Sequence, residues 1–147
     1  MSNIPGKNAK IIFFDPTELT TPLLDATCKT EEFKIKEKSE KIKASTLCET
    51  DVAQGESDHE FSGKIFFSAT TNLTTYEDSP QGVLRNLRKT GEKVVIRYQE
   101  QGTGSGKPQR QFTGIIFEIE EIVSRGKFLG ADFSGSIAGE ITDSIQT

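Results

Sequence analysis

Period-two hydrophobic alternation runs through the second half of the chain and commits it to β-strands. Successive side chains of a strand point to opposite faces, so an alternating run can bury one face and wet the other. Phe61 to Thr71 reads as such a strand, with Ile65, Phe67 and Ala69 opposite Lys64, Phe66 and Ser68. Lys93 to Gln99 sets Val94, Ile96 and Tyr98 against Lys93, Arg97 and Gln99. Gln111 to Ile122 is expected to turn Ile115, Phe117 and Ile119 to the core. Lys127 to Thr142 places Phe133, Ile137 and Ile141 with Gly135 and Gly139 on one face, and Asp132, Ser134, Ser136, Ala138 and Glu140 on the other.

One segment breaks this rhythm. Ser79 can cap free N–H groups, and Pro80 suits a first helical position, where its missing N–H costs nothing. Val83, Leu84 and Leu87 make an apolar stripe, basic residues follow, and Gly91 can take the left-handed conformation that ends a helix. Residues 79–91 are therefore a helix, reached through a connection from Asn72 to Asp78.

The first half is less regular. Residues 1–9 read as an N-terminal arm, Lys10 to Phe14 as a strand closed by Asp15-Pro16, and 15–32 as an irregular loop. The lysine-rich stretch 33–48 alternates at Phe33-Lys34-Ile35-Lys36 and is read as short strands. Residues 49–60 are acidic and lack an apolar period, so an exposed loop is expected. Short connections favour antiparallel pairing. The fold class is mainly β: one domain over residues 1–147, an antiparallel β-sandwich or rolled sheet with one flanking α-helix and an extended N-terminal arm.

Composition removes several functions. The chain has 147 residues, with 18 Lys and Arg against 22 Asp and Glu, a net charge of −4. That disfavours tight, non-specific nucleic-acid binding, which needs a basic surface to release counterions. No run approaches 18 apolar residues, so no helical membrane span is expected, and the N-terminus lacks a secretory pattern. Cys28 and Cys48 read as free thiols of a reducing compartment, with a disulfide as the alternative. Hydrophobic residues make up 33% of the chain. That is a thin core for this length, and it suits a subunit that completes its burial against neighbours.

No catalytic constellation emerges. Gly102 to Lys107 has three residues where a phosphate loop needs four, and Pro108 follows the lysine. Asp51, Glu56, Asp58, His59 and Glu60 match no calcium spacing, and a single histidine argues against zinc. No cofactor or metal is expected, and no enzyme activity. The informative feature is a face: Asp132, Ser134 and Ser136 on the last strand, Glu118 and Glu120 on the one before it. Small polar and acidic side chains there read either as the ordinary solvent face of a sandwich or as a smooth anionic surface to which a polyanion would not adhere.

The order Gly63-Lys64-Ile65-Phe66-Phe67-Ser68-Ala69, helix, Val94-Val95-Ile96-Arg97-Tyr98, Phe112-Thr113-Gly114-Ile115-Ile116 and Ala131 to Thr142 resembles the tail tube proteins of long-tailed, lambda-like bacteriophages. The resemblance covers residues 60–143. It implies a structural subunit that forms hexameric rings stacked into a hollow tube, with sheets joined into an inner barrel and the helix outside. It implies that Glu118, Glu120, Asp132, Ser134 and Ser136 face a lumen through which double-stranded DNA passes unbound. It implies ring stacking through the loop 49–60, with Asp51, Gln54, Gly55, Glu56, Asp58 and His59, and through the arm 1–9. Implied partners are the chain itself and tape measure, tail tip and terminator proteins, in a virion tail assembled in the bacterial cytoplasm. The alternatives are a tube subunit of a contractile tail, gene-transfer particle or type VI secretion system, and, outside that class, a soluble β-sandwich binding module.

Overall fold

The computed structural model describes the backbone of residues 4–45 and 50–147 and the side chains of 4–39 and 58–147. Strands β1 (Lys10–Phe14), β2 (Leu24–Asp25), β3 (Thr30–Lys36), β4 (Ser39–Ser45), β5 (Thr50–Ser57) and β6 (Glu60–Phe66) precede two helices, α1 (Leu73–Glu77) and α2 (Pro80–Thr90). Strands β7 (Val94–Gln99), β8 (Pro108–Ile122) and β9 (Gly130–Ile145) follow. Seven strands form one antiparallel sheet in the order β2-β1-β7-β8-β9-β6-β3, and β4 and β5 pair only with each other.

The sheet curls on itself, which brings distant strands into ring contact. Phe13 of β1 meets Phe133 of β9 edge-on at 6.1 Å between centroids, and Tyr98 of β7 lies 6.4 Å from Phe33 of β3. The core fills this fold with Phe13, Phe61, Ile65, Leu84, Val94, Ile96, Phe112, Ile116 and Phe133. Two cross-strand rows organise one wall: Phe33, Gly63, Phe133 and Ile119, then Ile35, Phe61, Gly135 and Ile116. Each row sets a single glycine between two bulky residues. A Cβ on Gly63 would stand 2.9 Å from the Phe133 ring, and one on Gly135 would stand 2.6 Å from the Phe61 ring. Glycine thus leaves room for the neighbouring aromatic ring, so both can share one layer.

Helix α2 forms where its local signals lie. The Ser79 hydroxyl accepts from the Gly82 N–H at 3.1 Å, Pro80 occupies the first turn, and Gly91 closes the helix at φ 68°. Val83, Leu84 and Leu87 are buried, and the helix packs on β8. Arg85 bonds Glu121 of β8 and the Tyr76 hydroxyl, and its guanidinium lies 5.2 Å from the centre of the Phe67 ring. The hydrogen bonds to Tyr76 and Glu121 hold its pKa above the ordinary arginine value.

Several expectations need correction. On β8 the buried residues are Phe112, Gly114 and Ile116, and Phe117 is 56% exposed. The register shift between Ile116 and Glu118 explains this: the extra residue at Phe117 reverses the alternation and returns Ile119 to the core. Gly139, with φ 80°, likewise leaves the core face where β9 carries extra residues opposite the shift between Gln111 and Thr113. Strand β6 stops at Phe66 because the Gln81 side chain takes both the Ser68 N–H and the Ser68 carbonyl, at 3.1 and 2.6 Å. Residues 50–57 are not an irregular loop but strand β5, paired with β4. A two-stranded ribbon outside the main sheet needs only backbone partners, so no apolar period marks it. The segment 72–78 holds α1, started by a reciprocal cap between Asn72 and Thr75. Cys28 is exposed and free; Cys48 lies outside the described residues.

The glycine-rich loop after β7 binds the end of the chain. Gly104 donates to the Gln146 side chain at 3.1 Å, Gly106 donates to the Gln146 carbonyl at 2.8 Å, and Gln146 donates to the Gly102 carbonyl at 2.9 Å. Strand β8, not a helix, follows the loop.

Candidate functional site

The face of the sheet opposite the aromatic rows carries three polar rows across β3, β6, β9 and β8. They are Glu32, Lys64, Asp132 and Glu120; Lys34, Ser62, Ser134 and Glu118; and Lys36, Glu60, Ser136 and Ile115. All five residues expected on an anionic face, Glu118, Glu120, Asp132, Ser134 and Ser136, stand together on it. The bulge of β8 lies before Glu118, so the two glutamates align with β9 as alternation requires.

Sequence reasoning missed the rest of this face. Strands β6 and β3 extend it beyond β9, adding Lys34, Lys36 and Lys64 as well as Glu32 and Glu60. Five carboxylates against three lysines leave the face at −2. All three lysines lie on β3 and β6, with Glu32 and Glu60 among them, whereas β9 and β8 carry Asp132, Glu118 and Glu120 and no lysine on this face. Lys34 pairs with Glu32 at 3.0 Å on the exposed surface, a tie of about 0–1 kcal/mol. One carboxylate oxygen of Asp132 is buried without a hydrogen-bond partner. A shallow groove of about 300 Å³ runs across the first two rows.

The residues expected in a stacking loop are distributed differently. Asp51, Gln54, Gly55 and Glu56 lie on β5, in the ribbon that stands apart from the sheet; nothing further is described of their side chains. Asp58 is exposed. His59 is only 6% exposed and sits at the ribbon's base. Its Nδ1 accepts the Lys38 N–H at 3.0 Å, which leaves the proton on Nε2, 3.2 Å from a Glu140 carboxylate oxygen. The His59 carbonyl accepts from Ile137, and Asp58 donates to the Lys38 carbonyl. His59 therefore ties both ends of the ribbon to β9. We expect His59→Ala to speed hydrogen exchange of the Lys38 amide about tenfold, the loss of one part-buried bond, with core amides unchanged. An unaltered Lys38 amide would remove this role.

Among the described residues no group of three or more His, Cys, Asp and Glu could hold a metal ion, and no helix is long and apolar enough to cross a membrane.

No family model matches the chain, and no curated protein matches it in sequence. Solved structures do match in fold. A chain from the virion of a native gene transfer agent particle aligns over 95% of this chain and 98% of its own, at 15% identity and TM-score 0.66. A chain from the tail of an empty gene transfer agent particle, of C6 symmetry, aligns over the same shares at 15% identity and TM-score 0.68. The SPP1 tail tube, solved by solid-state NMR and cryo-electron microscopy, aligns over 98% of this chain and 80% of its own, at 9% identity and TM-score 0.67. This is the tail tube fold. The expected class, a rolled antiparallel sheet with a flanking helix, is the class observed, with the short helix α1 added.

Proposed function

We propose that this protein is the repeating subunit of a tail tube: six copies form a ring, rings stack, and the tube conducts double-stranded DNA. The observation that carries this reading is the fold match over 95% of the chain to the tail of a C6-symmetric particle. The polar rows face the lumen, with Asp132, Ser134, Ser136, Glu118 and Glu120 on its wall. Like charge at the β8 and β9 columns keeps the phosphate backbone from adhering. The ribbon carrying Asp51, Gln54, Gly55 and Glu56, followed by Asp58, contacts the next ring together with the arm 1–9, and His59 sets the ribbon's direction. Tape measure, tip and terminator proteins are the remaining partners, and the assembled product is a virion tail built in the host cytoplasm. A subunit of this kind holds no active site; its work is assembly.

A gene transfer particle is the second reading, favoured over other relatives by two of the matched structures. Both readings share one test. Purified, concentrated protein examined by negative-stain electron microscopy should give hollow tubes or six-fold rings, with matching growth in light scattering. A monomer at every concentration, with and without a tail-tip complex to initiate growth, would sink the proposal.

The lumen assignment has its own test. Asp132→Lys, Ser134→Lys and Ser136→Lys together make the central column basic while leaving both lateral edges intact. Tails should still form, and DNA delivery should fall at least about tenfold as phosphates bind the new lysines. Normal delivery through intact variant tails would take these residues off the lumen wall.

A further inference from the structure

Two lengths of strand in the main sheet have one empty flank. Strand β7 pairs with β8 only from Arg110 to Gly114, so Ile115 to Ile122 has β9 on one side and, among the described residues, no strand on the other. Strand β3 pairs with β6 and closes the far side of the sheet; among the described residues no strand lies beyond it. Unpaired flanks of this length are templates for strand addition, and soluble proteins normally cover them. Phe117, 56% exposed, sits on one of them.

We infer that β3 of one copy pairs, antiparallel, with Ile115 to Ile122 of β8 in the next copy, setting Lys34 opposite Glu120 and Lys36 opposite Glu118. This rests on the tube reading and specifies its seam.

Strand direction supports the inference first. Strands β8, β9, β6 and β3 alternate in direction, so β8 and β3 run oppositely within one copy. Rotation about a ring axis keeps that relation. The β8 of a neighbour placed beside β3 therefore continues the antiparallel ladder, and the contact is head-to-tail, the kind that closes into rings.

Charge supplies the register. Lys34, Lys36 and Glu32 share the polar face on β3, and Glu118, Glu120 and Ile122 share it on β8. In the stated register both lysines meet glutamates and Glu32 meets Ile122. Sliding the strands by two residues in one direction sets Glu32 against Glu120, and in the other leaves Lys34 facing Ile122. Opposite charges directly across a ladder stabilise it and like charges do the reverse. Within one copy Glu118 and Glu120 have no partner among the described residues, and Lys34 is held only by its exposed tie to Glu32. Pairing across the seam would also neutralise the lysines, leaving the wall facing DNA more uniformly polar than the free subunit.

The test replaces Cys28 and Cys48 with serine and introduces Lys34→Cys with Glu120→Cys. Within one chain these positions are three strand spacings apart, about 14 Å, beyond the roughly 7 Å that a disulfide spans. Oxidation of assembled protein should give a ladder of cross-linked species ending at a closed hexamer on a non-reducing denaturing gel, while either single cysteine stays monomeric. A parallel set needs no disulfide: Lys34→Glu with Lys36→Glu should cut tube yield at least tenfold, and adding Glu118→Lys with Glu120→Lys should restore it. Dimers from Lys34→Cys alone would mean that two copies of β3 pair with each other, overturning the seam. Rings in the micrographs with neither ladder nor restoration would overturn it while leaving the tube reading standing. No rings from the unaltered protein would remove both.

Discussion

Replacing Ser39–Ser57 by Asn-Gly should leave a folded, monomeric subunit that builds no tubes. The ribbon β4–β5 pairs only with itself, so its removal breaks no hydrogen bond of the seven-stranded sheet. The flanking strands are already partners, with Lys36 opposite Glu60, and the Asp58 N–H bonds the Lys38 carbonyl. An Asn-Gly turn can close that hairpin, because both residues accept the positive φ that a tight hairpin turn demands. Lys38 stays in place to donate to His59. The thermal midpoint should therefore move by only a few degrees, corresponding to about 1 kcal/mol or less. Assembly should fail outright if the ribbon bridges rings. Light scattering of the concentrated variant reads this directly, and circular dichroism shows that the fold survives. Tubes of normal length from the folded variant would free the ribbon from the stacking role. Isolated six-fold rings would be the most informative result, since they would separate ring closure from ring stacking.

Local signals were legible and tertiary ones were not. Helix α2 could be read from Ser79, Pro80 and Gly91 because caps and first-turn prolines act within a few residues. The same logic marks α1, where Asn72 and Thr75 stand at capping-box spacing; the signal was present, in a helix too short to show a stripe. The parity of β8 was illegible because the register shift at Phe117 is set by how β9 lies against it. Alternation counted straight through the bulge places Ile115 and Phe117 inside, where the chain puts Gly114 and Ile116. Gly114 reads as a gap in the pattern and is in fact the space that the Phe61 ring occupies. The polar face was half legible for a related reason. Residues of one strand, and of two strands joined by a turn, can be assigned a common face from alternation. Lys34, Lys36 and Lys64 join that face only through the order β9-β6-β3, in which β9 inserts beside a strand far from it in sequence. The acids alone, without the lysines, predict a uniformly anionic wall. The observed wall is polarised from side to side, and that polarity is what gives the lateral seam its register.

Gly135→Ala should cost more stability than any other alanine substitution at a glycine of β9. A Cβ there would lie 2.2 Å from the Ile115 carbonyl oxygen, and 2.6 and 2.8 Å from two atoms of the Phe61 ring. The ring can rotate, but the carbonyl belongs to the β8 backbone beside the Ile116 and Gly135 register, so relief requires the two longest strands to part. Overpacking a core that can adjust costs about 1–3 kcal/mol. A clash with backbone belongs at or above the top of that range, a large share of the stability of a domain this size. Phe61→Leu combined with Gly135→Ala should recover only part of the loss, because the smaller side chain removes the ring contact and leaves the carbonyl contact. Gly139→Ala provides the control on the same strand. No atom lies within 4 Å of its Cβ position, and its cost comes from φ at 80°, about 1–2 kcal/mol for a residue with a side chain. Urea unfolding followed by tryptophan-free probes, such as far-ultraviolet dichroism, suits a chain with no Trp. Equal midpoints for the Gly135 and Gly139 variants would mean that β8 and β9 yield at this point. The glycine set between bulky residues in each row would then not be what fixes their spacing.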